Sequence, residues 1–371
     1  MPAKGILPKK YFIKTFGCQM NVSDSQRIAS FLESQNFQIA PKIEIADLVI
    51  FNTCGVRQTA ENSALGIIHN LKEKKPKIFI ILTGCLAKRK DIQKKLENKV
   101  DFFCEIQNFN KLGSLLVKNQ LKAENLKLKL FSQKKTSSHS SYLSIEPRYD
   151  NPQKALVPIM TGCNNFCSYC VVPYARGKEF SRPTKEIFLE IKKLSANDCQ
   201  TITLLGQNVN SYAFEKNNFP TLLNSLAQTF PQITFKFLTS HPKDFSDQLI
   251  DVIASNPNIF KEIHLPIQSG SDRILARMNR PYTQKHYLSL IEKTRKKIPT
   301  VRFTTDVIVG FPGETQKDLE ATADVLKKVG YSLVFINKYS PRPGTAAFKL
   351  KDSIPWEEKK RREKYLRQFV L

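Results

Sequence analysis

No run of the 371 residues approaches the roughly 18 apolar residues of a membrane helix, which excludes a helical membrane protein. The opening MPAKGILPKKYFIKTFG is basic but has no apolar block or small-residue cleavage site of a secretory signal, so a cytoplasmic location is expected. Acidic residues are scarce. Against 58 Lys and Arg stand 33 Asp and Glu, a net charge of +25, and nucleic acid is the commonest cytoplasmic polyanion to balance such a surface. Eight cysteines without an export signal argue against a disulfide framework, because the cytosol keeps thiols reduced; metal or cluster ligation is the better reading.

The first hundred residues repeat one layout three times. KKYFIKTFGCQMNVSDSQRIASFLES passes from a β-rich stretch through Gly17-Cys18 into a helical pattern, with Asn21, Ser23 and Asp24 as capping residues. ADLVIFNTCGVRQTAENSALGIIHNLKEK does the same through Cys54-Gly55, and KPKIFIILTGCLAKRKDIQKKLEN through Gly84-Cys85. A strand in VDFFCEI and a short helix in NKLGSLLVKNQ complete the unit. Strands alternating with helices predict a parallel βαβ sheet of Rossmann-like type, whose strand carboxyl ends gather at one edge. Cys18, Cys54 and Cys85 fall there, each beside a glycine and ahead of a helix whose dipole favours thiolate. A single such cysteine could be a small buried strand cap; three in equivalent places point to ligation. Cys104 and Cys199 read as inert core cysteines.

Residues 111–135 are lysine-rich, and the polar SQKKTSSHSSYLSIEPRYDNP follows, with His139 as an exposed linker residue. The expected domains are therefore 1–150 and 151–371. Beyond the linker, ALVPIM leads into TGCNNFCSYC, with Cys163, Cys167 and Cys170 in one loop. Five more strand patterns, TITLLGQNVN, TFKFLTSHP, IHLPIQSGS, FTTDVIVGFPGE and YSLVFINKYSPRPGT, alternate with helical ones, the last helix ending at Gly330. About six βα units predict a partial (β/α)6 barrel rather than a closed eightfold one. Three thiolates suit a [4Fe–4S] cube with one iron open to a chelating molecule. Zinc would need a fourth ligand, and the nearest candidates, Cys199 and His241, stand far along the chain. No acid–base dyad is evident.

The sequence resembles the methylthiotransferases of the radical S-adenosylmethionine (SAM) superfamily. The resemblance rests on GCQMN at 17–21, NTCGVR at 52–57, GCLAKR at 84–89, GCNNFCSYCVVPYARGKEFSRP at 162–183 and LLGQNVNSY at 204–212. HLPIQSGSD at 264–272, MNRPYT at 278–283, VGFPGET at 309–315 and YSPRPGT at 339–345 complete it. It is strongest to the branch that adds a 2-methylthio group to N6-isopentenyladenosine at position 37 of tRNA. It implies two [4Fe–4S] clusters, an auxiliary one on Cys18, Cys54 and Cys85 and a radical SAM one on Cys163, Cys167 and Cys170, with two SAM molecules per turnover. Tyr169 would line the adenine of SAM, and Gln207, Gln268, Ser269, Gly270, Ser271, Gly310 and Glu314 would border SAM. Arg176 and Arg182 would face cofactor and substrate.

The implied partners are the tRNA anticodon loop, whose bases can be splayed out, and an electron donor; a monomer is expected. Family members usually continue into a C-terminal RNA-binding TRAM β-barrel, which is expected to be absent after KDSIPWEEKKRREKYLRQFVL, with Lys127, Lys129, Lys134 and Lys135 helping to hold RNA instead. Rival readings are methylthiolation of a ribosomal-protein aspartate or of threonylcarbamoyladenosine, and a non-catalytic iron–sulfur RNA-binding protein.

Overall fold

The computed structural model describes residues 10–109 and 142–370. The helix expected in NKLGSLLVKNQ, His139, and Lys127, Lys129, Lys134 and Lys135 lie outside the described residues. The chain forms two compact units: residues up to Asp150 together with Tyr174–Phe180, and Asn151–Pro173 together with Ser181 onward.

The first unit runs β1 (Lys10–Thr15), α1 (Gln19–Ser34), β2 (Gln38–Ile39), β3 (Leu48–Thr53), α2 (Gln58–Lys74), β4 (Phe79–Gly84), α3 (Lys90–Lys95) and β5 (Phe102–Phe103). All pairings are parallel, in the order β2-β1-β3-β4-β5. Every residue of β3 and β4 is buried, as expected of strands covered on both faces. One core packs Ile28 and Leu32 of α1 against Tyr11, Ile50 and Ile81; the other packs Ile68 and Leu71 of α2 against Val49, Phe51 and Ile80. The strand order reverses between β1 and β3, and in doubly wound sheets the crevice outside such a reversal is where ligands bind. Cys104 follows β5 rather than sitting inside it, and it is buried in the first of these cores.

The second unit contains β6 (Lys154–Pro158), β7 (Met160–Thr161), α4 (Val172–Arg176, whose last turn falls in the first unit), β8 (Phe180–Ser181), α5 (Thr184–Ala196) and β9 (Thr201–Leu205). It continues through β10 (Ala213–Phe214), β11 (Asn217–Asn218), α6 (Phe219–Thr229), β12 (Thr234–Phe237), α7 (Asp247–Ser255), β13 (Glu262–His264), α8 (Asp272–Arg277) and α9 (Gln284–Lys297). β14 (Arg302–Val309), α10 (Gln316–Val329), β15 (Leu333–Lys338) and α11 (Trp356–Arg367) close it. The main strands are parallel, in two triplets, β6-β9-β12 and β13-β14-β15. Phe235 of β12 joins the triplets by accepting from Phe260 N and donating to Asn258 O. Six strands in sequence order, interleaved with helices, make the partial (β/α)6 barrel that the sequence predicts.

α10 is fixed at both ends by local chemistry. Thr315 and Asp318 form a reciprocal capping box, and Gly330 ends the helix in the left-handed region. No helix among the described residues is long and apolar enough to cross a membrane.

Candidate functional site

In the first unit Cys18, Cys54 and Cys85 follow the carboxyl ends of β1, β3 and β4, three adjacent strands. Two glycines allow the loops to close on one another. A Cβ on Gly17 (φ +106°) would stand 2.4 Å from Cys54 Cβ and 2.8 Å from its Sγ; one on Gly84 (φ +82°) would stand 2.3 Å from Thr53 O. Both positions need glycine for backbone angle and for space. Cys85 N donates to Thr53 O at 2.8 Å, which ties the third cysteine to the strand carrying the second.

The polar residues expected to cap α1 do something else. Helix α1 begins at Gln19 with Cys18 as its N-cap, and Asn21, Ser23 and Asp24 lie within its buried first turns. Asn21 Nδ2 donates to Phe16 O at 2.9 Å and Thr53 O at 3.0 Å, pinning the Cys18 loop to the end of β3. Its Oδ1 accepts from Cys18 Sγ at 3.5 Å and from Arg176 Nη2 at 3.1 Å. Arg176, 2% exposed, also donates to Asp24 Oδ2 at 2.6 Å. It is therefore a buried, ion-paired residue of the first unit.

Burial raises the Cys85 thiol above its ordinary pKa; the Arg176 charge opposes the rise, and Cys54 and Cys18 add to it. The three sulfurs are thus electrostatically coupled. The expected dipole assistance is confined to Cys18, since α2 and α3 start at Gln58 and Lys90, some residues beyond Cys54 and Cys85. A buried thiol that resists ionisation alone releases its proton when a cation binds, which suits ligation.

In the second unit the Cys163–Cys170 loop follows β7 and is clamped by the segment 278–282. Ser168 N donates to Met278 O at 2.9 Å, and Asn279 Nδ2 to Asn165 O at 3.1 Å and Phe166 O at 3.0 Å. Arg280 is 6% exposed; it donates through Nη1 to Cys167 Sγ at 3.7 Å, through Nη2 to Pro266 O at 2.7 Å and through Nε to the Tyr282 hydroxyl at 2.8 Å. Asn279 and Arg280 lie in the MNRPYT motif, which by itself assigns them no role.

The positions expected around SAM divide. Gln207 Oε1 accepts from Gly162 N at 2.6 Å and so holds the cysteine loop. Tyr169 packs beside Met278, Phe311 and Tyr339, and burial raises its phenol pKa well above the ordinary value. Gly270 lies against α10, where a Cβ would meet Ala321 O at 2.4 Å, and Ser271 caps α8 and donates to Asp318 at 2.6 Å. Ser269 is fully buried. Glu314 accepts from Gly310 N at 2.7 Å and from Arg362 at 2.7 Å; burial raises its pKa, and Arg362 with Gly310 counters it. The polar atoms of Ser271 and Glu314 thus bond within the fold. Arg182 is buried and donates to Pro158 O and Glu190 at 2.7 Å each.

Gln268 is different. Its backbone is left-handed (φ 69°), and its Oε1 is buried without a hydrogen-bond partner. Asn208 Oδ1, Ser240 Oγ and His241 Nε2 share that condition, and all four follow strand carboxyl ends of the barrel. Thr239 (φ 67°), Phe166 (φ 46°) and Asn279 (φ 55°) add strained backbone at that end. Unsatisfied buried polar atoms and strain mark ligand sites. Asn208, Ser240 and His241 were not assigned to this site from sequence.

Burial lowers the His241 pKa to about 2, with the Arg280 and Lys243 charges adding to the effect, so the ring stays neutral near pH 7. Its folded value lies below the unfolded one. Stability from keeping it neutral is therefore complete above about pH 6.5 and lost as pH falls towards 2. By pH 5 that loss is about 2 kcal/mol. Urea midpoints at pH 7.5 and 5.0 should drop further in the wild type than in His241→Asn by this amount; equal drops would contradict it.

Among the described residues no three His, Cys, Asp or Glu side chains converge as ligands of a single ion. A cube needs only one thiolate at each of its separate iron corners. The Gly17–Cys54 contact, the coupled thiols and the orphan donor on Arg176 fit that demand in the first unit. The Arg280–Cys167 bond fits it in the second, where the orphan polar atoms suit a polar cofactor beside the cube.

A partial barrel with a C-x3-C-x2-C loop at its catalytic end defines a radical SAM protein, and residues 157–326 match the model of the Radical SAM superfamily. Residues 10–105 match the family described as Uncharacterized protein family UPF0004. The tRNA-2-methylthio-N(6)-dimethylallyladenosine synthase of Carboxydothermus hydrogenoformans is 43% identical over 363 residues, covering 95% of this chain and 81% of that protein. The synthase of the same name from Clostridium botulinum is 42% identical over 362 residues, covering 95% and 79%. The chain belongs to the family of these synthases. In fold it is similar to the radical SAM methyltransferase TsrM of Kitasatospora setae, solved with cobalamin and a [4Fe-4S] cluster (TM-score 0.59, 12% identity, 92% of this chain and 77% of that one). It is also similar to the cobalamin-dependent radical enzyme OxsB, solved with aqua-cobalamin and SAM (TM-score 0.60, 9% identity, 98% and 56%).

Proposed function

We propose that this protein is a tRNA methylthiotransferase that adds a 2-methylthio group to N6-(dimethylallyl)adenosine at position 37 of the anticodon loop, using two [4Fe–4S] clusters and SAM. The observation that carries the reading is the presence of both cysteine trios, each at strand carboxyl ends in its own unit, in a chain 43% identical to a synthase of that name.

Cys163, Cys167 and Cys170 would hold the SAM-binding cluster and Cys18, Cys54 and Cys85 the auxiliary one. When bound, the clusters and SAM supply the electron, the radical and the sulfur that polar side chains cannot. The protein's own contribution is placement. Arg280 fixes Cys167, Gln207 fixes Gly162 and Asn279 fixes the loop between. Gln268, Asn208, Ser240 and His241 present unpaired polar atoms at the barrel end for a polar cofactor. The neutral His241 ring offers a hydrogen bond without a competing charge. The net charge of +25 suits a polyanionic substrate.

Anaerobic reconstitution tests this. The protein should take up about eight iron atoms, two cubes, and with dithionite and SAM convert isopentenylated tRNA to its 2-methylthio form, read by nucleoside mass spectrometry. SAM cleavage without that nucleoside, but with product on threonylcarbamoyladenosine or a ribosomal protein, would move the assignment to those substrates.

A further inference from the structure

The auxiliary site contains a charge that its cysteines do not explain. Arg176 is 2% exposed, and one arm of its guanidinium is committed: Nη2 donates to Asp24 Oδ2 at 2.6 Å and to Asn21 Oδ1 at 3.1 Å. The other arm is not. Nη1 is buried and has no hydrogen-bond partner among the described residues. Leaving an N–H of a charged group unsatisfied away from water is costly and calls for an unseen acceptor.

The guanidinium borders the cysteine site. Asn21 Oδ1 receives both Arg176 Nη2 and, at 3.5 Å, Cys18 Sγ, so sulfur and guanidinium nitrogen stand no more than about 6.6 Å apart through one shared oxygen. Three protein thiolates leave one iron of a cube without a side-chain ligand, and the natural ligand for such a corner is a soft anion. Arginine suits the task better than lysine, because its planar fork can be held by a carboxylate on one side while donating on the other.

We propose that Arg176 is a positioning residue whose free Nη1–H holds an anionic sulfur ligand, hydrosulfide or a small thiolate, at the open corner of the cluster carried by Cys18, Cys54 and Cys85. The proposal rests on the two-cluster reading above. It assigns Asp24 a role as well: its carboxylate anchors the guanidinium through Nη2 and leaves Nη1 unpaired, although Asp24 Oδ1 also lacks a partner. Arg176 therefore acts on the bound sulfur through charge and direction, without bonding to iron.

Removing Arg176 alone strands a buried carboxylate, so the test is built on Arg176→Met/Asp24→Asn, which removes both charges, with Asp24→Asn and Arg176→Lys as companions. All are made in the full chain carrying Cys163→Ala, Cys167→Ala and Cys170→Ala, so that only the auxiliary cluster contributes to spectra. Each reconstituted protein is titrated anaerobically with sodium sulfide and followed by electron paramagnetic resonance of the reduced cluster. The double variant should keep its iron but require at least tenfold more sulfide for half-saturation. Asp24→Asn, which keeps the guanidinium but loosens its anchor, should be weakened less than the double variant, and Arg176→Lys should be weakened several-fold.

Unchanged half-saturation in the double variant would overturn the proposal. Should that variant lose its iron, Arg176→Lys decides: parental sulfide affinity there would overturn it, and weakened affinity would sustain it. A parent protein that binds no cluster at these cysteines would refute the two-cluster reading instead, a result separable by iron analysis before any sulfide is added.

Discussion

Replacing Cys163, Cys167 and Cys170 together by alanine is expected to abolish SAM cleavage while leaving about half of the iron, one cube of two. The fold should survive, because the loop is held chiefly by groups other than sulfur. Met278 O, the Asn279 amide and Ala347 N all bind its backbone, at 2.9, 3.0–3.1 and 2.7 Å. The urea midpoint should accordingly move by no more than about 1 kcal/mol in stability terms. Iron analysis, deoxyadenosine release and a denaturation curve on one preparation check all three points. Undiminished SAM cleavage would remove the basis for assigning the radical cluster to this loop.

Arg280→Met is expected to damage both stability and cluster. Its side chain satisfies Pro266 O and the Tyr282 hydroxyl and donates to Cys167 Sγ, all within a buried setting. Each buried acceptor left bare costs about 1–3 kcal/mol, so the loss should exceed that of the triple cysteine variant. Hydrogen bonds and positive charge beside a thiolate ligand ease cluster reduction. The surviving cluster should therefore reduce at a more negative potential, measurable by an EPR-monitored redox titration. A wild-type potential with normal iron would show that Arg280 serves the fold alone.

The fold was legible because its signals are repetitive. The strand runs LVIFNT and FIILTG are apolar throughout, as parallel strands buried on both faces must be, and each is punctuated by a glycine and a cysteine. The same repetition placed Cys18, Cys54 and Cys85 at the ends of adjacent strands. The supporting residues were harder to see. Asn21 and Asp24 carry side chains that favour helix caps, so local preference pointed to capping; only the neighbouring strand and Arg176, distant in sequence, give them their actual partners. The internal partners of Ser271 and Glu314 were hidden for a related reason. Motif position marked them as near a cofactor, whereas Asp318 and Arg362, each beyond a loop or helix, engage their polar atoms. Asn208, Ser240 and His241 were passed over because an unsatisfied buried atom has no signature in sequence.

Tyr174–Phe180 belongs to the first compact unit although it follows the cysteine loop of the second. During translation the early unit is consequently unfinished when Asp150 leaves the ribosome. Asp24 must wait for Arg176 to be synthesised, holding until then a buried carboxylate without its counter-charge, an arrangement that is costly for any folded intermediate. By that time Cys163, Cys167 and Cys170 have already been made, so all six thiols precede in chain order the arginine that completes the first unit.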